Sequence, residues 1–290
     1  MYLSSETITI PSPTLVPPQY RVCQTLLDKG SGGVNEDALA VGNKLCIVCD
    51  GSTGLDGGEL IPGSSGAQQA AEITAAVFNE DIERDLHESA QIANEAIRAR
   101  MQEYGVDCSQ REHLWSTSFA AVQLSGRGIN WCQIGDCLIL LIYEDGRSKL
   151  LGNLPGHDEQ ILAHWQKIGP RAVGTIHQVM GDQIAAVRRT MNRAFGALNG
   201  EAEALEFLVQ GRIEDDRISD VLLFSDGFFP PTRFPDKPLD TKKLVDLYKT
   251  SGLTGVRDHI RVLQSNDPGC YLYPRFKMFD DISAIALQKS

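Results

Sequence analysis

Short apolar runs bounded by Gly, Asp and Asn recur along the chain and predict β-strands. Apolar residues at three- and four-residue spacing predict two longer helices, at 64–79 and 86–104, as the buried faces of amphipathic helices require. Weaker periodicity predicts shorter helices at 158–167, 183–195, 241–250 and 254–264. The predicted strands lie at 6–10, 21–27, 38–41, 45–49, 118–124, 129–134, 138–143, 205–213, 221–224 and 282–287.

The order of these elements favours one fold class. Strands come in groups separated by a helix pair, rather than alternating singly with helices as in a parallel α/β sheet. We therefore expect an α+β fold, with two mostly antiparallel sheets forming a sandwich flanked by helices. The 290 residues are expected to form a single domain (1–290), with a variable, flap-like insert near 156–190 where the periodicity is weakest.

Composition excludes several classes of protein. The chain has 38 acidic and 27 basic residues, for a net charge of -11, which disfavours sequence-independent binding to nucleic acid or anionic membranes. No apolar run is long enough to span a membrane, and the first 20 residues do not resemble a signal peptide. The seven scattered cysteines, including Cys46 and Cys49 within one apolar run, are interpreted as buried reduced thiols. We therefore expect a cytoplasmic protein with no nucleic-acid or membrane partner.

Acidic residues cluster where predicted strands begin or end. Taken singly, an Asp-Gly pair is typical of a turn and a charged run is typical of a solvated loop. The segments KLCIVCDG and DVLLFSDG nevertheless share one form, an apolar strand followed by Asp and Gly, which an exposed turn does not require. A metal site does need a rigid strand to aim its carboxylate, and glycine lets the backbone approach an ion. The acidic motifs are Asn35-Glu36-Asp37, Asp50-Gly51, Gly135-Asp136, Asp226-Gly227 and Asp280-Asp281.

The hairpin between the strands at 38–41 and 45–49 has two open registers. A two-residue turn at Gly42-Asn43 places Asp37 opposite Val48 and diagonal to Asp50. A three-residue loop places Glu36 opposite Asp50 instead. Either register brings carboxylates of the two strands within roughly 5–8 Å.

Gathered carboxylates imply cations. Two such groups 4 Å apart repel by roughly 4 kcal/mol at an effective dielectric constant of 20. Oxygen ligands without His or Cys favour Mg²⁺ or Mn²⁺ over Zn²⁺, and two such ions suit the hydrolysis of phosphate esters. Thiol-phosphatase, Walker, H-E-x-x-H and G-x-S-x-G motifs are absent from the sequence. His157-Asp158 is interpreted as structural, and Arg188, Arg189 and Arg193 are interpreted as a solvated basic face or as a phosphate or substrate contact.

The ordered motifs resemble the metal-dependent serine/threonine protein phosphatases of type 2C, especially bacterial members. The resemblance extends over 20–288 and includes the Asn-Glu-Asp, Asp-Gly, Gly-Asp, Ser-Asp-Gly and Asp-Asp-Ile-Ser motifs. The matching residues are Asn35-Glu36-Asp37, Asp50-Gly51, Ser116-Thr117-Ser118, Gly135-Asp136-Cys137, Asn192-Arg193-Ala194-Phe195-Gly196, Ser225-Asp226-Gly227 and Asp280-Asp281-Ile282-Ser283.

The resemblance implies a site for two Mn²⁺ or Mg²⁺ ions at one end of the sandwich. In it, Asp50 would bridge the ions. Glu36 and the Gly51 carbonyl would complete the ligands of one ion, and Asp226 and Asp280 those of the other.

The resemblance also implies roles for two further acids. Asp37 would orient a metal-bound water, and Asp136 would help to bind a third ion. The nucleophile would be the metal-bridging water, and the substrate a protein phosphorylated on Ser or Thr by an opposing kinase.

Three positions depart from the family pattern. Gly32 stands where the family has a phosphate-binding Arg, Ser52 stands where some members have His, and the stretch 55–63 is longer than usual. Lys29 or Arg193 is then expected to contact the substrate phosphate, or the amides of residues 30–33 to form an anion nest. Alternative hypotheses are a pseudophosphatase that acts as a regulatory binding module, and a phosphatase for a small phosphoester.

Overall fold

Two antiparallel sheets form the centre of the protein in the computed structural model, which describes residues 19–54, 63–126, 128–152, 154 and 156–290. The strands are β1 (Tyr20–Asp28), β2 (Asp37–Val41), β3 (Leu45–Gly51), β4 (Thr117–Ser125), β5 (Gly128–Ile134), β6 (Leu138–Tyr143), β7 (Ser148–Leu151), β8 (Val209–Ile213), β9 (Ile218–Phe224) and β10 (Ile282–Lys289). The first sheet has the strand order β1-β10-β9-β6-β7, and the second has the order β2-β3-β4-β5-β8. The predicted strand at 6–10 lies outside the described residues.

Side-chain alternation along the strands creates three apolar layers. On β3, Cys46 and Val48 face the core between the sheets, whereas Ile47 and Cys49 face the helices on the outer side. Because β3 is buried on both faces, its sequence is continuously apolar rather than alternating. All seven cysteines are free thiols, as predicted, but only five are buried: Cys23 is exposed and Cys108 is half-buried, so the prediction of burial is wrong for these two. Burial raises the pKa of Cys46 to about 12.

Helices cover both outer faces of the sandwich, which confirms the predicted α+β architecture. Helices α1 (Gly66–Glu80) and α2 (Leu86–Glu103) pack on the second sheet, and α5 (Thr241–Ser265) packs on the first. Gly252, with φ of 67°, kinks α5, which explains why the sequence predicts two shorter helices there. None of the helices in the described ranges is both long and apolar enough to cross a membrane.

A helix pair occupies the segment predicted as an insert. Helices α3 (Glu159–Ile168) and α4 (Ile176–Arg188) share a small apolar core that includes Ile161, Trp165 and Met180. Whether this segment varies, and whether residues 1–290 are one domain, stay predictions.

Three predicted elements have different bounds in the structure. Helix α4 begins at Ile176 because Thr175 and Gln178 form a capping box, so the predicted helix at 183–195 starts too late and extends too far. The predicted strand at 205–213 is a 3-10 helix over Ala202–Phe207 followed by β8. Strand β7 was not predicted because only Leu151 of its four residues is fully buried.

Both predicted registers of the β2–β3 hairpin are wrong. The amide of Gly42 donates to the carbonyl of Leu45 at 2.7 Å, so Gly42 still pairs and the turn residues are Asn43 and Lys44. The pairing shifts by one residue beyond the three-residue-loop register. Asp37 consequently lies directly opposite Asp50.

Candidate active site

Four carboxylates from separate strand ends line one cavity of about 140 Å³. Asp50 lies near the end of β3, and Asp136 lies in the connection from β5 to β6. Asp226 follows β9, and Asp280 precedes β10. Since β3 belongs to one sheet and β9 and β10 to the other, the cavity lies at an end of the sandwich where both sheets contribute.

Acidic side chains crowd one another in this cavity. Burial, reinforced by the charge of Asp37, raises the pKa of Asp50 well above its usual range. Burial and the charge of Asp280 do the same to the pKa of Asp226. The fold therefore favours the protonated form of Asp50 and Asp226 unless a bound cation stabilises their ionised form.

Asp37, the cross-strand partner of Asp50, is buried, with only 6% of its surface exposed. Its Oδ2 accepts a hydrogen bond of 2.7 Å from the hydroxyl of Ser225. Burial raises the pKa of Asp37 to about 7, although the bond to Ser225 opposes that shift and the charge of Asp280 adds to it. Asp37 is thus a buried acid that titrates near neutral pH.

Three side chains donate hydrogen bonds to the Glu36 carboxylate. Ser65, the N-cap of α1, donates to Oε1 at 2.8 Å, and the Thr53 hydroxyl donates to Oε2. The ammonium of Lys277 lies 3.2 Å from the same Oε2. The Glu36 carboxylate is therefore fixed at the edge of the cavity, in contact with two residues that line it.

Asp280 and Asp281 are adjacent in sequence but have different contacts. Asp280 lines the cavity, and its Oδ1 lies 3.1 Å from Lys277 Nζ. Asp281 is buried and accepts the amides of Gly30 at 2.7 Å and Glu36 at 2.9 Å. Asp281 thus ties the segments before β2 to the start of β10.

Lys277 is the functional candidate that sequence reasoning missed most clearly. Burial lowers the pKa of Lys277, but the charges of Asp280 and Glu36 outweigh burial and raise it above its ordinary value. Lys277 is therefore a fixed positive charge between two acids that are far apart in sequence. Its position three residues before Asp280 was the one signal available from the sequence.

The glycines of the two Asp-Gly pairs are required by backbone packing. A Cβ on Gly51 would lie 2.3 Å from the carbonyl oxygen of Ala67 on α1. A Cβ on Gly227 would lie 1.9 Å from the carbonyl oxygen of Asp281. These contacts add a reason for glycine besides the predicted approach to an ion.

A second wall of the cavity comes from the helix pair and its flanks. Arg188, at the end of α4, lines the cavity with His157, Asp158 and His177. His157 stacks on Phe195 with the ring centroids 3.7 Å apart. Burial and the nearby charges of Lys277 and Arg188 lower the pKa of His177. The interpretation of His157-Asp158 as purely structural thus missed its place at the cavity.

The two residues predicted to contact a substrate phosphate lie elsewhere. Lys29 is exposed, and its ammonium donates to the carbonyl of Gly33. Arg193 is exposed and is not among the described residues that line the cavity. Both roles stay predictions. Of the three arginines that the sequence left open as a phosphate contact, Arg188 is the one found among the described residues that line the cavity.

The predicted anion nest at 30–33 is contradicted at two of its amides. The amide of Gly30 donates to Asp281, and that of Ser31 donates to the carbonyl of Phe279 at 2.9 Å. Neither amide is directed at a substrate. The anion that this loop holds is the protein's own Asp281 carboxylate.

The donor set fits Mn²⁺ or Mg²⁺. Among the described residues, no three His, Cys, Asp or Glu side chains converge closely enough to hold a metal ion as they stand. The cavity nevertheless presents Asp oxygens from four strand ends, the ligand type that these hard cations prefer. The raised pKa values of Asp50 and Asp226 indicate a charge excess that a divalent cation would neutralise.

Comparison of the sequence with protein-family models and with curated proteins yields no match. Solved structures do match. The Mycobacterium tuberculosis serine/threonine phosphatase PstP/Ppp aligns with TM-score 0.57 and 16% identity, over 93% of this chain and 99% of its own. The catalytic domain of PstP in complex with two manganese ions aligns with TM-score 0.55 and 17% identity, over 93% and 97%.

A further phosphatase extends this likeness over almost the whole chain. Serine/threonine phosphatase Stp1 from Staphylococcus aureus aligns with TM-score 0.56 and 12% identity, over 99% of this chain and 100% of its own. At such identities the likeness concerns the fold. The protein has the fold of the bacterial serine/threonine phosphatases of type 2C, which its ordered acidic motifs predicted.

Proposed function

We propose that this protein is a metal-dependent protein phosphatase that hydrolyses phosphoserine and phosphothreonine esters. The observation that supports the proposal best is the convergence of Asp50, Asp136, Asp226 and Asp280 on one cavity. Its substrates would be proteins phosphorylated by an opposing kinase, and its site of action the cytoplasm.

Six residues would hold the cations. Asp50 would bridge two Mn²⁺ or Mg²⁺ ions, with Glu36 and the Gly51 carbonyl on one side and Asp226 and Asp280 on the other. Asp136 would support a third. When bound, such ions supply an activated water and neutralise the oxygens of the phosphoryl group.

The chain's own groups would orient the reactants. Asp37, held by Ser225, would accept a hydrogen bond from a water at the cavity floor and keep it aligned. Arg188 would attract the phosphate to the opposite wall. Lys29 and Arg193 are further candidates for phosphate contact, but neither is among the described residues that line the cavity.

A pseudophosphatase is the second candidate. Two observations favour it: Gly32 lacks the side chain that would hold a phosphate, and Lys277 is already paired with Glu36 and Asp280. Such a protein would keep the fold and bind partners without turnover.

Hydrolysis of a phosphothreonine peptide separates these functions. The natural protein and Asp50→Asn are assayed with Mn²⁺ and with excess chelator, and p-nitrophenyl phosphate serves as a small phosphoester. We expect Mn²⁺-dependent release of phosphate from the peptide by the natural protein and none by Asp50→Asn. Turnover that survives chelator, or full activity in Asp50→Asn, would contradict the metal-dependent mechanism. Absence of turnover in folded natural protein at every substrate concentration would favour the pseudophosphatase, and turnover of the ester alone would favour a small-molecule phosphatase.

A further inference from the structure

The contacts of Lys277 have a consequence for metal binding. We infer that Lys277 is a built-in counter-cation that competes with a divalent ion for Glu36 and Asp280, so that the protein binds one ion more weakly than its carboxylates alone would allow. The inference rests on the proposed function in taking the cavity as a metal site.

The Glu36 carboxylate has little capacity left for a metal. Ser65 donates to one oxygen, while Thr53 and Lys277 occupy the other. Only 9% of the Glu36 side chain is exposed, so water does not supply alternative partners freely. A divalent ion on Oε2 would lie within a few ångströms of the Lys277 ammonium and would be repelled by it.

Asp280 is engaged by the same ammonium. Lys277 Nζ lies 3.1 Å from Asp280 Oδ1 and 3.2 Å from Glu36 Oε2, so a single positive charge joins two candidate ligands. Asp50, by contrast, lies among the charges of other acids, chiefly Asp37 and Asp226. Lys277 therefore neutralises the carboxylates of Glu36 and Asp280 on one side of the cavity, whereas the carboxyl group of Asp50 faces other acids.

The loop that carries Lys277 is held by its own hydrogen bonds. Asp267 accepts the amides of Tyr271, Leu272 and Tyr273, and its Oδ2 lies 2.9 Å from Arg275 Nη1. Arg275 also donates to the carbonyl of Met278, just past Lys277. The Lys277 side chain is only 18% exposed. An ammonium so placed is a persistent competitor, unlike a mobile surface lysine.

Calorimetric titration of metal-free protein with Mn²⁺, without substrate, tests the inference. The variants are Lys277→Met, Lys277→Gln, Lys277→Arg and Lys29→Met. Lys277→Gln retains a hydrogen-bond donor without charge and serves if Lys277→Met does not fold. Lys277→Arg retains the charge, and Lys29→Met removes a neighbouring charge whose ammonium contacts the Gly33 carbonyl instead.

We expect Lys277→Met and Lys277→Gln to bind one Mn²⁺ at least tenfold more tightly than the natural protein, or to bind one ion more. Lys277→Arg and Lys29→Met should titrate like the natural protein. In thermal unfolding, Lys277→Met should melt lower without metal and gain more from Mn²⁺, because two carboxylates lose their counter-ion.

Two results would overturn the inference, and only the second would also contradict the proposed metal-dependent function. Equal affinity and stoichiometry in the natural protein and both neutral variants would show that Lys277 does not compete, while the metal site itself would stand. Absence of Mn²⁺ binding in all of them would remove both the competition and the metal-dependent function.

Discussion

Asp37 and Asp50 are direct cross-strand partners on β2 and β3. Side chains in such pairs are separated by only about 5 Å at Cβ, so two carboxylates there destabilise the hairpin when both are ionised. The pair is tolerated because Asp37 is bonded to Ser225 and has a pKa of about 7. A cation at Asp50 would relieve the repulsion between these two carboxylates, so we expect the stability of this hairpin to depend on metal binding.

Divalent metal should stabilise the fold. At 100 times the dissociation constant, binding contributes about 2.7 kcal/mol per site. At roughly 2–4 °C per kcal/mol, Tm should rise by several degrees with Mn²⁺, as measured by circular dichroism against excess chelator. Asp226→Asn should reduce the rise and increase the metal-free Tm, whereas Asp182→Asn, an exposed position on α4, should change neither. A Tm indifferent to Mn²⁺ would argue against a carboxylate cluster.

The metal-free protein should lose stability as pH rises from about 4 to 7. The pKa of Asp37 is about 7 in the fold against an ordinary 3.8, so folding favours its protonated form. Its contribution is complete below pH 3.8 and is lost as pH rises to 7, at no more than about 1.4 kcal/mol per pH unit. Asp37→Asn should flatten this part of the profile in chelator. An unchanged slope in Asp37→Asn would assign the titration to other carboxyls.

Gly32→Arg should lower the KM for a phosphopeptide several-fold with little change in kcat. A charge-assisted hydrogen bond to phosphate contributes roughly 1.5–3 kcal/mol, and Gly32 supplies none. Gly32 has no left-handed φ, and a Cβ there would meet only the Val34 carbonyl, at 3.3 Å. Gly33→Arg is the matched control, since a Cβ there meets nothing within 4 Å. Equal effects of both substitutions would indicate nonspecific attraction rather than a restored contact.

Arg188→Ala should raise KM several-fold and leave kcat nearly unchanged. Arg188 lines the carboxylate cavity, whereas Arg193 is exposed. Arg193→Ala should therefore have little effect in steady-state kinetics with Mn²⁺. If KM rose only in Arg193→Ala, the phosphate would be bound by Arg193, as the sequence predicts, and not by Arg188.

Gly227→Ala should destabilise the protein strongly. Its Cβ would lie 1.9 Å from the Asp281 carbonyl oxygen, so the turn after β9 must move away from the start of β10. Overpacking of this kind costs roughly 1–3 kcal/mol or more. Gly54→Ala is the control, because a Cβ there meets nothing within 4 Å. Urea denaturation that shows equal stability for both variants would contradict the packing role of Gly227.

Much of the sandwich could be predicted from local pattern. Strands such as β3 and β6 are continuous apolar runs, and their ends are marked by Asp-Gly and Gly-Asp pairs. Predictions failed where local pattern is weak, as at β7, where Ser148–Leu151 buries one side chain fully. They also failed at α4, whose start depends on the capping box of Thr175 and Gln178 rather than on apolar spacing.

The acids of the candidate site could be named from sequence because each follows or precedes an apolar strand. A strand end constrains where its carboxylate points, so Asp50, Asp136, Asp226 and Asp280 reach one cavity. Only the tertiary structure shows which basic residues lie close to these acids. Lys277 meets Glu36 across 241 residues, and Arg188 approaches from a separate helix pair. Such contacts depend on how distant segments pack, and neither periodicity nor motif spacing carries that information.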